Sequence, residues 1–188
     1  KPTQEGLYQH FKAIADNTNL PCIVYNVPGR TGCNMSSETT VRLSEVENIV
    51  GVKEASGDFD QITRIIAQSN SDFRVWSGND NDTLGIMTMG GYGIISVASH
   101  IVGLQIKNMM NLILDNKTEA AAAEHLRLFN IFKDLFLIAN PIPVKFALNH
   151  SGFRVGGTRL PLTDPDKETA AKLVQMLQNY KVDLPIKV

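Results

Sequence analysis

Cysteine occurs only twice in 188 residues, so disulfides cannot frame this fold. Cys22 lies in an apolar run and Cys33 in the loop after it, with no His or Cys pair near either at metal spacing. They read as two unpaired thiols of a cytoplasmic protein. The four histidines, His10, His100, His125 and His150, are scattered, which argues against a shared metal site. Charge of one sign is not in excess: 18 basic against 19 acidic residues leave no basic stripe for nucleic acid or an anionic membrane surface. Apolar runs are broken by Gly, Lys or Asn well short of the roughly 20 residues a bilayer requires. The opening KPTQEGLYQHFKAIA lacks the basic, apolar and small-residue sections of a signal peptide and reads as an amphipathic helix. Neither an internal repeat nor a low-complexity segment stands out.

What is present is an alternation. Leu7, Phe11 and Ile14 mark one face of a helix over about Gln4 to Asn17, and Cys22 to Asn26 is a short β-type run. Ser36, a good N-cap, opens a helix to about Val46, followed by the strand IVGVKE, Ile49 to Glu54. A helix carrying Ile62, Ile65 and Ile66, a strand at Phe73 to Ser77, a helix at Thr83 to Met89 and a strand at Gly93 to Val97 continue the pattern. Strands and helices at this spacing imply βαβ units and a parallel sheet. The spacing therefore divides the chain into an α/β part over about residues 1–100 and a helical part over 101–188. In the second part the predicted helices hold Met109 to Ile113, Thr118 to about Leu137, Val144 to Gly152 and, from Pro165 at a first-turn position, to about Tyr180. Methionine and phenylalanine there read as core.

Each predicted strand runs apolar and then ends in polar or glycine-rich residues: Tyr25-Asn26, Lys53-Glu54, Ser77-Gly78-Asn79-Asp80 and Ser96. In a (β/α)8 barrel the active site is assembled at the carboxyl ends of the strands. Lys53 is the sharpest signal, because an apolar strand end lowers an amine's pKa by desolvation and makes it a nucleophile near neutral pH. Taken alone, it reads more readily as a lysine emerging into solvent where the strand stops. If Tyr25 and Lys53 end neighbouring strands, their backbones lie about 4.8 Å apart and both side chains reach one cavity. A phenol beside an imine-forming lysine suits proton transfer, and Arg30 offers a planar fork for a carboxylate. Singly, Tyr25 is also readable as a core tyrosine and Arg30 as a solvated loop charge.

The stretches YNVPGRTG, GVKEASG, SGND, GGYGIISV and NPIPVKFAL, in this order, closely resemble the dihydrodipicolinate synthase and N-acetylneuraminate lyase family of class I aldolases. The likeness covers essentially the whole chain. It implies the second half of a (β/α)8 TIM barrel, about four parallel strands with helices, followed by a C-terminal helical region. It further implies that Lys53 forms a Schiff base with pyruvate, that Tyr25 relays protons, that Arg30 binds a carboxylate of the incoming aldehyde, and that Gly78 and the backbone at Ile95 line the pocket. The implied reaction joins pyruvate to L-aspartate 4-semialdehyde in the diaminopimelate route to lysine, in a cytoplasmic homotetramer built from dimers, with no metal or organic cofactor. Arg30, in the PxRTG pattern, favours this over a sugar-acid lyase.

The same likeness implies about four more strands before Lys1, since eight close the barrel in about 250 residues. With them would come paired threonines that extend the relay from Tyr25, a tyrosine reaching into the neighbouring subunit's site and, in lysine-inhibited members, the regulatory residues. Four strands alone leave open edges and apolar faces, so the expectation is a fragment, or one half of a pair, inactive by itself. Two alternatives stand: another pyruvate-dependent aldolase, acting on a keto-sugar acid or on hydroxy-oxoglutarate, and a catalytically silent structural subunit.

Overall fold

The computed structural model describes residues 1–183, which fall into two compact units, Lys1–Ile95 and from Ser96 onward. In the first, α1 (Gln4–Ala15) leads to β1 (Cys22–Asn26), a single-turn α2 (Pro28–Thr31), α3 (Ser37–Ser44), β2 (Ile49–Glu54), α4 (Phe59–Gln68), β3 (Arg74–Ser77), a 3₁₀ turn at Asp80–Asp82, α5 (Thr83–Thr88) and β4 (Gly93–Ile94). The strands form one parallel sheet in the order β1-β2-β3-β4. This is the four-strand α/β arrangement expected from the alternation.

Strand period decides which side chains meet the helices. Val24, Val52 and Val75 are buried on the helix-facing side with Leu43, Ile62 and Ile65. Ile23, Tyr25 and Lys53 alternate to the other side, where burial is lower. The helices start where side-chain oxygens take up free amides: Thr3 accepts from Gly6, Ser36 from Thr39 and Asp58 from Gln61. The Ser36 cap is the one expected. Replacing Asp58 by alanine is expected to cost about 1 kcal/mol; a denaturation midpoint unchanged from the parent would show that another group takes over the Gln61 amide.

Two strands are shorter than expected. Phe73 lies outside β3, and β4 ends at Ile94 rather than Val97. Ile95 still donates its N–H to the Ser77 carbonyl at 3.0 Å, but Ser96 Oγ then accepts from Ser99 N at 2.8 Å and turns the chain into a helix. After β1 the chain winds through the short α2. Pro28 stands at its first position, where no N–H is needed, and Gly32 ends it at φ 65°, a conformation costly for any residue with a Cβ.

The second unit is helical: α6 (Ser99–Leu114), α7 (Thr118–Asp134), α8 (Ile142–His150) and α9 (Lys167–Leu177). Ile101, Met109, Leu128, Ile131, Phe132, Leu148 and Leu173 form its buried interior. Pro165 does not enter the last helix; Asp166 caps it by accepting from Thr169 N, which places the proline one residue outside. Val102 is non-helical within α6, and the amides of Leu104 and Gln105 beyond it donate to Asp183 Oδ2 at 2.8 and 3.2 Å. The carboxylate thus serves the kink as a cap serves a helix start.

Candidate active site

The register of β1 and β2 sets Tyr25 opposite Lys53, and that of β2 and β3 sets Lys53 opposite Trp76. The three side chains therefore form one row across the sheet, on the side away from the helices. Lys53 Nζ lies 4.3 Å from the centroid of the Tyr25 ring, which covers one side of the amine. Among the described residues neither Lys53 Nζ nor the Tyr25 hydroxyl has a hydrogen-bond partner within the chain. Tyr25 is 39% exposed, so it is not a core tyrosine, and it is among the residues that line a cavity of about 420 Å³ with Leu7, Phe11, Val27 and Met35.

Lys53 is held below the usual lysine pKa of 10.5, first by burial of the amine and second by the positive charge of Arg30, while Asp80 opposes both. Lys53 stops half-buried at the strand end instead of emerging into water. Arg30 sits in the last turn of α2, exposed, with no ion pair among the described residues. Its guanidinium is close enough to depress the lysine and unengaged enough to accept a carboxylate.

Gly78 is tightly placed. Its N–H donates to Glu54 O at 2.7 Å, and a Cβ there would lie 2.7 Å from Ala55 Cβ and 3.1 Å from Glu54 O. The close approach of β3 to the end of β2 therefore requires glycine whatever else this position lines. Ile95, 38% exposed, follows β4 on the same edge of the sheet.

Two groups at this end of the sheet had no weight in the sequence reading. Asp80, 2% exposed, is the nearby negative charge that Lys53 experiences. Trp76, which completes the row, packs edge-on against Tyr92 at 5.2 Å between centroids. The signal for Trp76 is its place one residue before the polar strand end, as for Tyr25 and Lys53; Asp80 stands in the sequence only as part of a polar loop. Among the described residues no three His, Cys, Asp or Glu side chains are grouped to hold a metal ion, and Cys22 and Cys33 are both free thiols. No described helix is long and apolar enough to cross a membrane.

Comparison with known proteins bears on this geometry directly. The model of the Dihydrodipicolinate synthetase family matches residues 1–180. A 4-hydroxy-tetrahydrodipicolinate synthase of Dehalococcoides mccartyi is 58% identical over 187 residues, all of this chain and 63% of the relative. One from Moorella thermoacetica is 51% identical, covering 95% of this chain and 61% of the relative. The crystal structure of dihydrodipicolinate synthase from Aquifex aeolicus superposes with a TM-score of 0.93 at 40% identity, over 100% of this chain and 64% of that one. The chain spans less than two thirds of the length of these relatives. With the match extending over nearly every residue, and the fold agreeing, the chain belongs to the dihydrodipicolinate synthetase family.

Proposed function

We propose that this chain carries the Schiff-base half of an enzyme that condenses pyruvate with L-aspartate 4-semialdehyde, the step that yields 4-hydroxy-tetrahydrodipicolinate for lysine synthesis. The supporting observation is the pairing of Tyr25 with Lys53 across adjacent strands, with the amine over the ring and its pKa lowered by burial. In this reading neutral Lys53 attacks the keto carbon of pyruvate, and loss of water leaves a protonated imine. That cation draws electrons from the pyruvate methyl group, so a proton leaves and the enamine forms. The enamine carbon adds to the aldehyde while Arg30 holds the aldehyde's carboxylate. Attack of the substrate's own amine on the imine carbon closes the ring and frees Lys53.

Tyr25 passes the protons, its hydroxyl being uncommitted within the described chain. Gly78 and the backbone at Ile95 border the bound pyruvate. The protein's imine is itself the electron sink in this scheme, which asks nothing of a cofactor. Residues 1–100 would be the half-barrel bearing the site, and the helices of 101–188 would make the contacts of a cytoplasmic homotetramer, a dimer of dimers. The barrel closes, in this proposal, with the additional strands that the longer relatives have room for.

The test uses the chain joined to the first part of its 58%-identical Dehalococcoides relative, or to whatever its own reading frame encodes before Lys1. Borohydride with pyruvate is expected to leave a reduced pyruvyl group on the peptide holding Lys53, and aspartate semialdehyde is expected to be the preferred acceptor. Preference for a sugar aldehyde would transfer the chain to the sugar-acid aldolases, against the evidence of Arg30. Absence of any adduct would favour a silent structural subunit.

A further inference from the structure

One residue beyond Tyr25 and Lys53, the register pairs Asn26 with Glu54. Strand alternation turns both to the helix side, away from the amine. Glu54 is 0% exposed, and among the described residues no cation pairs with it. Instead, Asn26 Nδ2 donates to both carboxylate oxygens at 3.1 Å, Gln61 Nε2 to Oε2 at 3.2 Å and the Ser56 N–H to Oε1 at 2.7 Å. Every partner is a nitrogen donor, so the set matches an acceptor-only side chain.

These donors come from separate parts of the chain: the end of β1, the turn after β2 and the first turn of α4. The network then closes on itself. Asn26 Nδ2 lies 2.8 Å from Asn34 Oδ1, Asn34 Nδ2 donates to Gln61 Oε1 at 2.8 Å, and Asn26 Oδ1 accepts from Met35 N at 3.0 Å. Asn34 and Met35 are where the chain returns to the sheet after the turn that bears Arg30. One carboxylate therefore ties together the ends of both site strands and the base of the arginine turn.

An apolar side chain of similar volume would be buried at less cost, and a buried polar group of this kind is best understood as fixing register. We propose that Glu54 is a positioning residue of the Schiff-base site: by clamping Asn26 it holds Tyr25 against Lys53 and sets the seat of Arg30, without touching substrate. This rests on the Schiff-base reading above.

The experiment uses the same joined protein and follows the rate of borohydride trapping at saturating pyruvate. Glu54→Gln, nearly identical in shape, sets an amide N–H₂ against nitrogen donors; trapping is expected to slow by about 100-fold, the cost of an ångström-scale misplacement, with the half-saturating pyruvate concentration unchanged. Adding Gln61→Glu restores an acceptor opposite the new donor and is expected to recover most of the rate. A folded Glu54→Gln protein that traps at the parental rate overturns the proposal, as does one whose loss is matched by its unfolded fraction alone. Should Glu54→Gln fail to fold, Gln61→Leu, which removes one donor to Glu54 together with the acceptor of Asn34 Nδ2, decides: slower trapping supports the clamp and an unchanged rate overturns it. If the parent itself forms no adduct, the Schiff-base reading falls first and takes this proposal with it.

Discussion

Replacing Lys53 by arginine is expected to abolish both borohydride trapping of pyruvate and turnover in the joined protein. Arginine keeps the positive charge and much of the reach, but its guanidinium does not deprotonate in proteins and cannot condense with a ketone. The half-buried strand end that depresses the lysine has no such effect on arginine. Activity at the parental level in Lys53→Arg would show that the amine at this position forms no imine. The same lysine predicts a pH profile. Because burial and Arg30 lower its pKa, trapping should rise with pH and level off below the range of an ordinary lysine, near 10.5. Arg30→Gln removes the second of those causes and should move the midpoint up; Asp80→Asn removes the opposing charge and should move it down. For stability the sign is reversed from that of an ion-paired lysine. The unfolded chain binds the proton more readily, so Lys53 opposes folding at low pH, and this cost fades as pH rises toward 10.5.

Gly51→Ala is expected to damage the fold more than any other single methyl group. A Cβ on Gly51 would lie 2.2 Å from the Arg74 carbonyl oxygen and 2.4 Å from the Trp76 ring. The first contact is with backbone, which can yield only by parting β2 from β3 next to Lys53. Overpacking of this kind costs about 3 kcal/mol or more, and here it also moves the row that carries the amine. A thermal midpoint within about 2 °C of the parent would show that the two strands have more freedom than their spacing indicates. In the sequence Gly51 is only one residue of the strand IVGVKE. Its need for hydrogen as a side chain comes from the Arg74 carbonyl and the Trp76 ring, both in another strand that local pattern cannot name.

The contrast between Tyr25 and Asn26 shows where legibility stops. β1 and β2 were readable to their end residues, since a compact apolar run closed by a polar pair has few other conformations open to it. That Tyr25 and Lys53 stand one residue before the polar ends of their strands followed from order along the chain. Which residue lies opposite which did not, because register is a relation between segments 28 residues apart. Glu54 was visible only as a polar strand end; its donors Asn26, Ser56 and Gln61 come together through folding, and Asn34 joins them from the far side of a turn. β4 failed for a related reason. The run Gly93 to Val97 has strand-like composition, but Ser96 and Ser99 capture the backbone locally and end it after Ile94. The last helix starts two positions after Pro165, at Lys167, because Pro165 and the cap Asp166 are adjacent and both residue types mark helix starts.

The row facing away from the helices and the buried polar pair behind it are consecutive letters in each strand: Tyr25 then Asn26, Lys53 then Glu54. Parity therefore governs which insertions such a chain can tolerate. Lengthening the connections, between Asn17 and Pro21 for example, leaves odd and even positions where they are. Gaining or losing one residue inside β2, between Gly51 and Lys53, would instead turn the amine to the helix layer and the Glu54 carboxylate to the opposite side, exchanging the two positions in a single step.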